Sequence, residues 1–490
     1  MADRYWVGGS GTWNQNSSSR WSYYSGGPGG YGVPGSGDNV YFDANSGGGS
    51  VNVATGRACY NLNLSGYTGT FTGARSTQLS VYGPTITLTG NTGSGVNFPG
   101  NGPSIYIGNP CTLYTNGGTI GDINNWNALT LGSDVASKND TIITNYGTFN
   151  LNGYNLTIGL FNNTGTLNMS SGTLQCLQSG QLNGTQYCFN NSSAVNSGTS
   201  TLRFIRARGS SGLYSSISDS DTSLIVSDAY LDNVLTQWPS SGTIQIDNEI
   251  ISYSSKSGSY KNVTLSGLSR HLYNTAPASH SSGATVLLLG LMQTTLTAAA
   301  NSGDSTLTVA DTTIFEGNGW LEVDGEIIQY TGKTSTTFTN CTRGQTQYGG
   351  TGAAYHASGT IVRWAERRVI YLFSSTYNNV EFATAGGYVM SDVYNSPTIS
   401  SVRAAPYWPA NPLPLQYVRF YDSPSITNFN LNGRRGTQGI FSQPVYVKGR
   451  IGQDTSTVNY IYGAATYYPT SSYIPYNYTG GDPGDFDPFM

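Results

Sequence analysis

The stretch "GTFNLNGYNLTIGLFNNTGTLNMSSGTLQC", residues 147 to 176, alternates apolar and polar side chains and contains no charge. Phe149 and Leu151, Leu156 and Ile158, Leu167 and Met169, and Leu174 and Cys176 stand two apart, with Asn, Thr or Gln between them. Period two sends one set of side chains inwards and the other into water. Each piece therefore reads as a half-buried β-strand of about five residues, and Gly or Asn-Gly marks where one strand ends. No helical period survives here.

The absence of charge extends further, since residues 141 to 200 hold no Asp, Glu, Lys or Arg. Over all 490 residues the charged fraction is 10%, against about 25% in ordinary domains. Disorder needs low hydrophobicity and high net charge, whereas this chain is 37% hydrophobic with a net charge of −4, so it reads as folded and β-rich. Nothing in that balance neutralises phosphates, so no nucleic-acid partner is expected. Arg203, Arg206 and Arg208 are the densest early basic cluster and read as a solvated strand face. Five cysteines, Cys59, Cys111, Cys176, Cys188 and Cys341, form no C-x-x-C pair and signal neither a disulfide framework nor a zinc site. The opening "MADRYWVGG" lacks the features of a secretory signal peptide, and "ATVLLLGLM" at 284–292 is too short for a membrane span, so neither export nor membrane insertion is expected.

The expected fold class is all-β, divided into six segments. Residues 1–48 form an aromatic and Gly-rich opening or anchoring segment, in which Trp6, Trp13 and Trp21 supply core area. Residues 49–205 read as a β-solenoid or β-helix-like domain. Gly-Thr followed by a large apolar residue recurs at Gly147, Gly165 and Gly172, and polar side chains can ladder between stacked rungs. An ordinary β-sandwich would use the same alternation, so the two remain open at this point.

Residues 206–290 and 291–365 are two copies of one small β-module, expected as tandem barrels or sandwiches. "GTIQIDNEIISYSS" in the first answers to "GWLEVDGEIIQYTG" in the second. Asp221 matches Asp304, Glu249 matches Glu326, Tyr253 matches Tyr330, Arg270 matches Arg343, and His280 matches His356. The turns "DNEI" and "DGEI" suit a hairpin with positive φ. Residues 366–459 form a C-terminal β domain, and residues 460–490 a Tyr- and Pro-rich extended arm.

No catalytic residue is expected. The repeated Glu, Arg and His read as fasteners of a hairpin and its loops, with Tyr253 or Tyr330 buried beside each Glu–Arg pair, because what both copies keep belongs to the module. His280 and His356 have no second ligand at i+2 or i+4, so no metal and no cofactor is expected. A polysaccharide hydrolase would need paired carboxylates, and the solenoid region offers only Asp122, Asp134, Lys138 and Asp140 in its middle. There is no G-x-S-x-G, P-loop or H-E-x-x-H.

The phrases "ADRYWVGGSGTWN" and "VPGSGDNVYFD" resemble the start of a class of tailed-phage virion proteins, and they also open some β-helical passenger regions of autotransporters. The tandem module is similar to segments of phage tail and fibre proteins. Together these cover about two-fifths of the chain, and residue 271 is His where the second copy has Gly344. An autotransporter would require a signal peptide and a membrane barrel that are not read here. The phage resemblance implies a non-enzymatic virion structural protein, assembled in the host cytoplasm and exposed on the particle. A tail fibre, spike or tail-associated adhesin is the first reading, and a capsid decoration protein or a surface-glycan depolymerase are the alternatives. The implied partners are other virion proteins and a host surface glycan.

Weakly charged β surfaces with open edges invite association, which closed symmetry caps. Three-fold symmetry is what the fibre resemblance implies, so a homotrimer is expected. The arm supplies candidate partner-binding residues, Tyr467, Tyr468, Tyr473, Tyr476, Tyr478, Phe486 and Phe489, because tyrosine offers contact area at low rotamer cost. Light scattering at micromolar concentration should then return three times the 52.1 kDa monomer mass. Removing residues 470 to 490 should weaken that assembly while leaving the subunit folded. A mass near one monomer for the whole chain refutes the trimer.

Overall fold

The structure is a computed structural model. It describes residues 1–405 apart from 89–102, 228–237 and stretches of at most five residues, and beyond them the strands within 416–420, 425–430, 437–448, 460–468 and 477–478. The described residues are almost entirely β-strand and turn, with no α-helix. Two compact units emerge. One comprises Met1–Phe204, Tyr371–Glu381 and Ser396–Ser400, and the other Ile205–Ile370, Phe382–Asn395 and Ser401–Met490. This division cuts across the six segments read from the sequence.

In the first unit, short strands stack in parallel, each bonded to the strand one coil later. One face runs Gln78–Val81, Ser104–Ile107, Ile123–Asn125, Ile142–Asn145, Leu160–Asn163 and Thr185–Asn191. A second runs Thr85–Thr87, Cys111–Tyr114, Ala128–Leu131, Thr148–Asn150, Thr166–Asn168 and Val195–Asn196. The third runs Thr119–Ile120, Val135–Ser137, Leu156–Ile158, Thr173–Cys176 and Thr201–Phe204. Three strands per coil with parallel ladders is the geometry of a solenoid. A sandwich built from the same alternation would pair its neighbours antiparallel.

The alternation sets the filling of the stack. Phe149, Leu151, Leu156, Ile158, Leu167, Met169, Leu174 and Cys176 are all fully buried. Glycine permits the coils to approach. A Cβ on Gly147 would lie 1.9 Å from the carbonyl oxygen of Asn127, and one on Gly165 would lie 2.0 Å from that of Gly147. Those contacts are far inside van der Waals range, so Gly-Thr recurs because the backbone beneath leaves no room for a side chain.

The opening residues belong to the same stack rather than to a separate anchor. Asp3–Trp6 pairs parallel with Asn39–Tyr41, which pairs with Leu62–Asn63, which pairs in turn with Thr85–Thr87. Trp6, Trp13, Trp21, Phe42, Tyr67 and Phe71 are fully buried together, with Trp6 and Trp21 edge-to-face at 5.1 Å. Six large rings close the end of the stack with apolar area that its narrow coils otherwise lack.

One interior column changes character along the stack. Its successive residues are Val81, Ile107, Asn125, Asn145, Asn163 and Asn191. Each buried asparagine donates its amide to the next. Asn125 Nδ2 lies 2.7 Å from Asn145 Oδ1, Asn145 Nδ2 2.6 Å from Asn163 Oδ1, and Asn163 Nδ2 2.7 Å from Asn191 Oδ1. The same nitrogens also donate to turn carbonyls, as Asn145 does to Thr166 and Asn163 to Gly165, both at 3.0 Å. A buried amide is costly unless its donors and acceptors are met, and here the next coil meets them. Asn191 Nδ2 reaches the hydroxyl of Tyr377 at 3.0 Å, across 186 residues of chain.

That last bond marks the return of the chain. It leaves the stack after Phe204 and rejoins it at Tyr371, where Thr376 pairs parallel with Asn196. Arg203 Nε donates to Glu381 Oε2 at 2.5 Å in the same added layer. Arg203 stays part-exposed on its strand face, and its guanidinium is in addition paired with a carboxylate from far along the chain. Arg206 and Arg208 lie outside the described residues. Residues 371–381 and 396–400, placed in a C-terminal domain by sequence, belong to the stack instead.

In the second unit the C-terminal strands also ladder in parallel, Tyr388–Tyr394 with Gln416–Phe420, then Thr437–Lys448, then Tyr460–Tyr468.

Replacing Asn163 with Ala should destabilise the stack by about 1–3 kcal/mol, because Asn145 and Asn191 lose a buried partner. Asn168 donates at 2.6 Å to Asn150 in a half-buried outer ladder, and Asn168→Ala should cost less. Urea unfolding of both variants checks this, and equal losses would contradict the burial argument.

Candidate functional site

The residues that most resembled a site lie in the two modules, which repeat one architecture. The first is a sheet ordered Glu249–Tyr253, Gly242–Ile246, Thr285–Leu288, Ser210–Leu213, Ser223–Ser227, Asn262–Ser266, Ser255–Ser259. The second runs Glu326–Tyr330, Gly319–Val323, Ile361–Leu372, Gln293–Thr295, then through a bridge between Leu296 and Val309 to Thr306–Thr308, Thr337–Thr339 and Gly332–Lys333. Each has its own apolar core, including Val226, Ile244 and Val263 in one, and Val309, Leu321 and Phe338 in the other. The hairpin turn of the second copy has Asp324 and Gly325 at φ of 49° and 85°, the two positive values a primed turn requires.

Immediately after that turn, Glu326 begins its strand fully buried. Its Oε1 accepts from Arg343 Nε at 2.7 Å and Gly344 N at 2.8 Å. Its Oε2 accepts from Arg343 Nη2 at 2.8 Å and Ala354 N at 3.1 Å, and lies 2.8 Å from His356 Nε2. Arg343 also donates to the carbonyls of Asn301 and Ala354. The first copy repeats this closely. Arg270 grips Glu249 through Nε and Nη2, both at 2.6 Å, while Ala278 N and His280 Nε2 complete the carboxylate at 3.0 and 2.9 Å. Arg270 reaches the carbonyls of Ser218 and Ala278.

These clusters fasten three segments of each module to a single buried carboxylate. Burial alone would raise the Glu326 carboxyl. The hydrogen bonds from Arg343, His356 and the Ala354 and Gly344 amides outweigh it and hold the group at about 2. Glu249 is lowered by the same arrangement, again against its burial. A general acid or base must reach a substrate proton, and neither carboxylate is open to one. Each His is likewise buried against its Glu. Among the described residues no group of three or more His, Cys, Asp or Glu is placed to hold a metal ion.

Other sequence expectations separate here. Tyr253 and Tyr330 are buried, but not beside the ion pairs. Each stands four residues along the strand from its Glu, about 13 Å away, with its ring over Gly242 or Gly319. Asp122 and Asp134 accept backbone amides of the next coil, from Ile142 and Asn155, both at 2.8 Å, and so cap coils. Lys138 and Asp140 lie outside the described residues. The tail expectation is corrected at residues 460–468. These form a strand, because "YIYGAATYY" is rich in β-formers and free of proline, and Tyr467 and Tyr468 end it in register with Val447 and Lys448. Tyr478 pairs antiparallel with Ala465. Tyr473, Tyr476, Phe486 and Phe489 lie outside the described residues.

Two features escaped the sequence reading. The buried asparagine column is signalled faintly by Asn two residues before Gly, at 145 and 163. The other is a line of aromatic rings in which Tyr82, Trp126 and Tyr146 stand on a corner of the stack and Tyr106, on the strand beside it, bridges the first two; successive members are 20 to 24 residues apart. Compared with known proteins, the chain matches no family model, curated protein or solved structure.

Replacing Arg343 with Ala leaves the buried Glu326 with the Gly344 and Ala354 amides and His356 alone and should destabilise the second module by about 1–3 kcal/mol. The pH dependence has a definite sign. The folded carboxyl lies at about 2, below the ordinary 4.5. Its stabilisation is therefore complete above pH about 5 and is lost as pH falls through 4.5 towards 2. Calorimetry across that range should show a falling melting temperature in the native chain and a flatter profile in Glu326→Gln.

Proposed function

We propose that this chain is a non-enzymatic structural protein of a tailed-phage virion, a tail fibre, spike or tail-associated adhesin working as a homotrimer with other virion proteins. The observation that carries this reading is where the polar chemistry goes. The buried asparagines, both Glu–Arg–His clusters and the caps Asp122 and Asp134 are spent on internal fastening. Such a design favours a stiff scaffold over a reactive site. The five cysteines are free and buried, which suits a product assembled in a reducing cytoplasm.

The resemblance of the opening and of the tandem modules supports the phage assignment, and a capsid decoration protein is the nearest alternative. Electron microscopy of particles labelled with antibody to this chain tests it. Label along the tail is the expected result, label on the head would move the protein to the decoration class, and unlabelled particles would refute both. A glycan depolymerase would release oligosaccharides from host polysaccharide. Incubation with the purified protein should release none, and product formation would overturn the non-enzymatic reading.

A further inference from the structure

The aromatic line on the stack lies at the corner between its first and second faces. Trp126 joins Ile123–Asn125 to Ala128–Leu131, Tyr146 joins Ile142–Asn145 to Thr148–Asn150, and Tyr82 joins Gln78–Val81 to Thr85–Thr87. Tyr106 fills the step between Tyr82 and Trp126, with centroids 6.4 Å from each, and Trp126 stacks on Tyr146 at 4.1 Å. Backbone bonds fix the corners, from Tyr82 N to Cys59, Trp126 N to Ile107 and Tyr146 N to Asn125. Trp126 is 54% exposed and Tyr146 44%, whereas the tryptophans of the opening coils are fully buried. Four coils at ~4.8 Å per step carry the line over about 14 Å.

From this geometry we infer that the corner is a binding strip for an uncharged glycan, an inference that rests on the adhesin reading and names its ligand class. A sugar ring has a face of C–H bonds and a rim of hydroxyls. Trp126 and Tyr146 cover each other's facing sides, so the C–H face meets the sides and edges of these pre-positioned rings that stay exposed. The exposed amides of Asn109 and Asn127 stand next to the line; each nitrogen donates one N–H to a corner carbonyl, of Tyr82 at 2.7 Å and Gly108 at 3.2 Å, and keeps a second N–H and its amide oxygen for hydroxyls. The electrostatics select a neutral ligand. Residues 76 to 150 hold only Asp122, Asp134, Lys138 and Asp140 as charges, and the first two already accept coil amides. A nucleic acid could stack its bases on such rings, but it also needs cations along its backbone. A second protein chain needs about 800 Å² from each partner, whereas this line is one ring wide. The exposed parts of rings that bury 150–250 Å² each when covered fall well short of that area. Weak single-site affinity is compensated when several copies engage one surface.

Saturation-transfer NMR of the whole chain with a panel of short uncharged oligosaccharides tests the strip. At least one should show transfer to its ring C–H protons at millimolar concentration, with little change as salt is raised. Trp126→Ala should weaken that binding about tenfold or more with an unchanged melting curve. Trp126→Phe should retain part of it, and Tyr146→Ala should weaken it independently should Trp126→Ala fold poorly. Three results would overturn the inference: no uncharged saccharide binds, the folded variants bind as well as the native chain, or Trp126→Ala lowers the mass seen by light scattering, which would make the strip a subunit contact. Particle labelling separates the two failures. A labelled tail without sugar binding sinks only the glycan strip, and sugar binding by a chain absent from particles sinks only the virion assignment.

Discussion

Parallel pairing of each short strand with its counterpart one coil later is the constraint on which the first unit depends. It sets the distance between coils at about 4.8 Å, and every side chain inside must repeat compatibly at that step. Apolar residues meet the demand by stacking like on like, as Leu156 does on Leu174 and Leu174 on Leu202. Asparagine meets it because its amide is at once donor and acceptor, so a column can pass one hydrogen bond upward indefinitely. Glycine meets it where two backbones touch. Tyr377 ends the column because its hydroxyl accepts the last amide, and this ties the returning chain to coils laid down far earlier.

The modules solve the opposite problem. They are antiparallel, with their own apolar cores, and they hold long loops in place through a buried ion cluster. Removing charges from water is expensive, so a buried carboxylate survives only when fully met, and Glu326 has five hydrogen bonds from four residues. The repetition of the cluster in both copies is explained by that requirement. A partial cluster would be worse than none. The same logic explains how the stack tolerates a long excursion between Phe204 and Tyr371. The entropic cost of a longer connection grows only slowly with length, and segments carrying their own cores add their own stability.

Together these devices describe a chain whose polar groups serve rigidity and whose exterior carries little charge. That division suits the proposed place on a particle, where a scaffold must hold its shape outside the cell and meet its target through many weak, uncharged contacts. The aromatic corner is then the surface feature that the scaffold holds in position.

Much of the fold was legible locally. Strand alternation marked Phe149, Leu167 and Leu174 as interior, and the tandem repeat marked Glu249 with Arg270 and Glu326 with Arg343 as pairs, because hairpins and short loops keep those partners close in sequence. The placement of Tyr330 away from its ion pair was not legible, since a strand of alternating burial does not say which neighbour each buried side chain meets. The asparagine column was not legible either. Asn124 and Asn125 are the same residue type side by side, yet only Asn125 is fully buried.

The sequence by itself determined the all-β class, the strand beats and the module repeat, because these follow from nearest-neighbour geometry and period. Only the tertiary structure decided which coil Arg203 and Asn191 would meet, that residues 371–381 return to the first unit, and that four aromatic rings line up along the stack, three of them on one corner. Partners in a parallel stack lie a whole coil or a whole excursion away, and no local pattern encodes that distance.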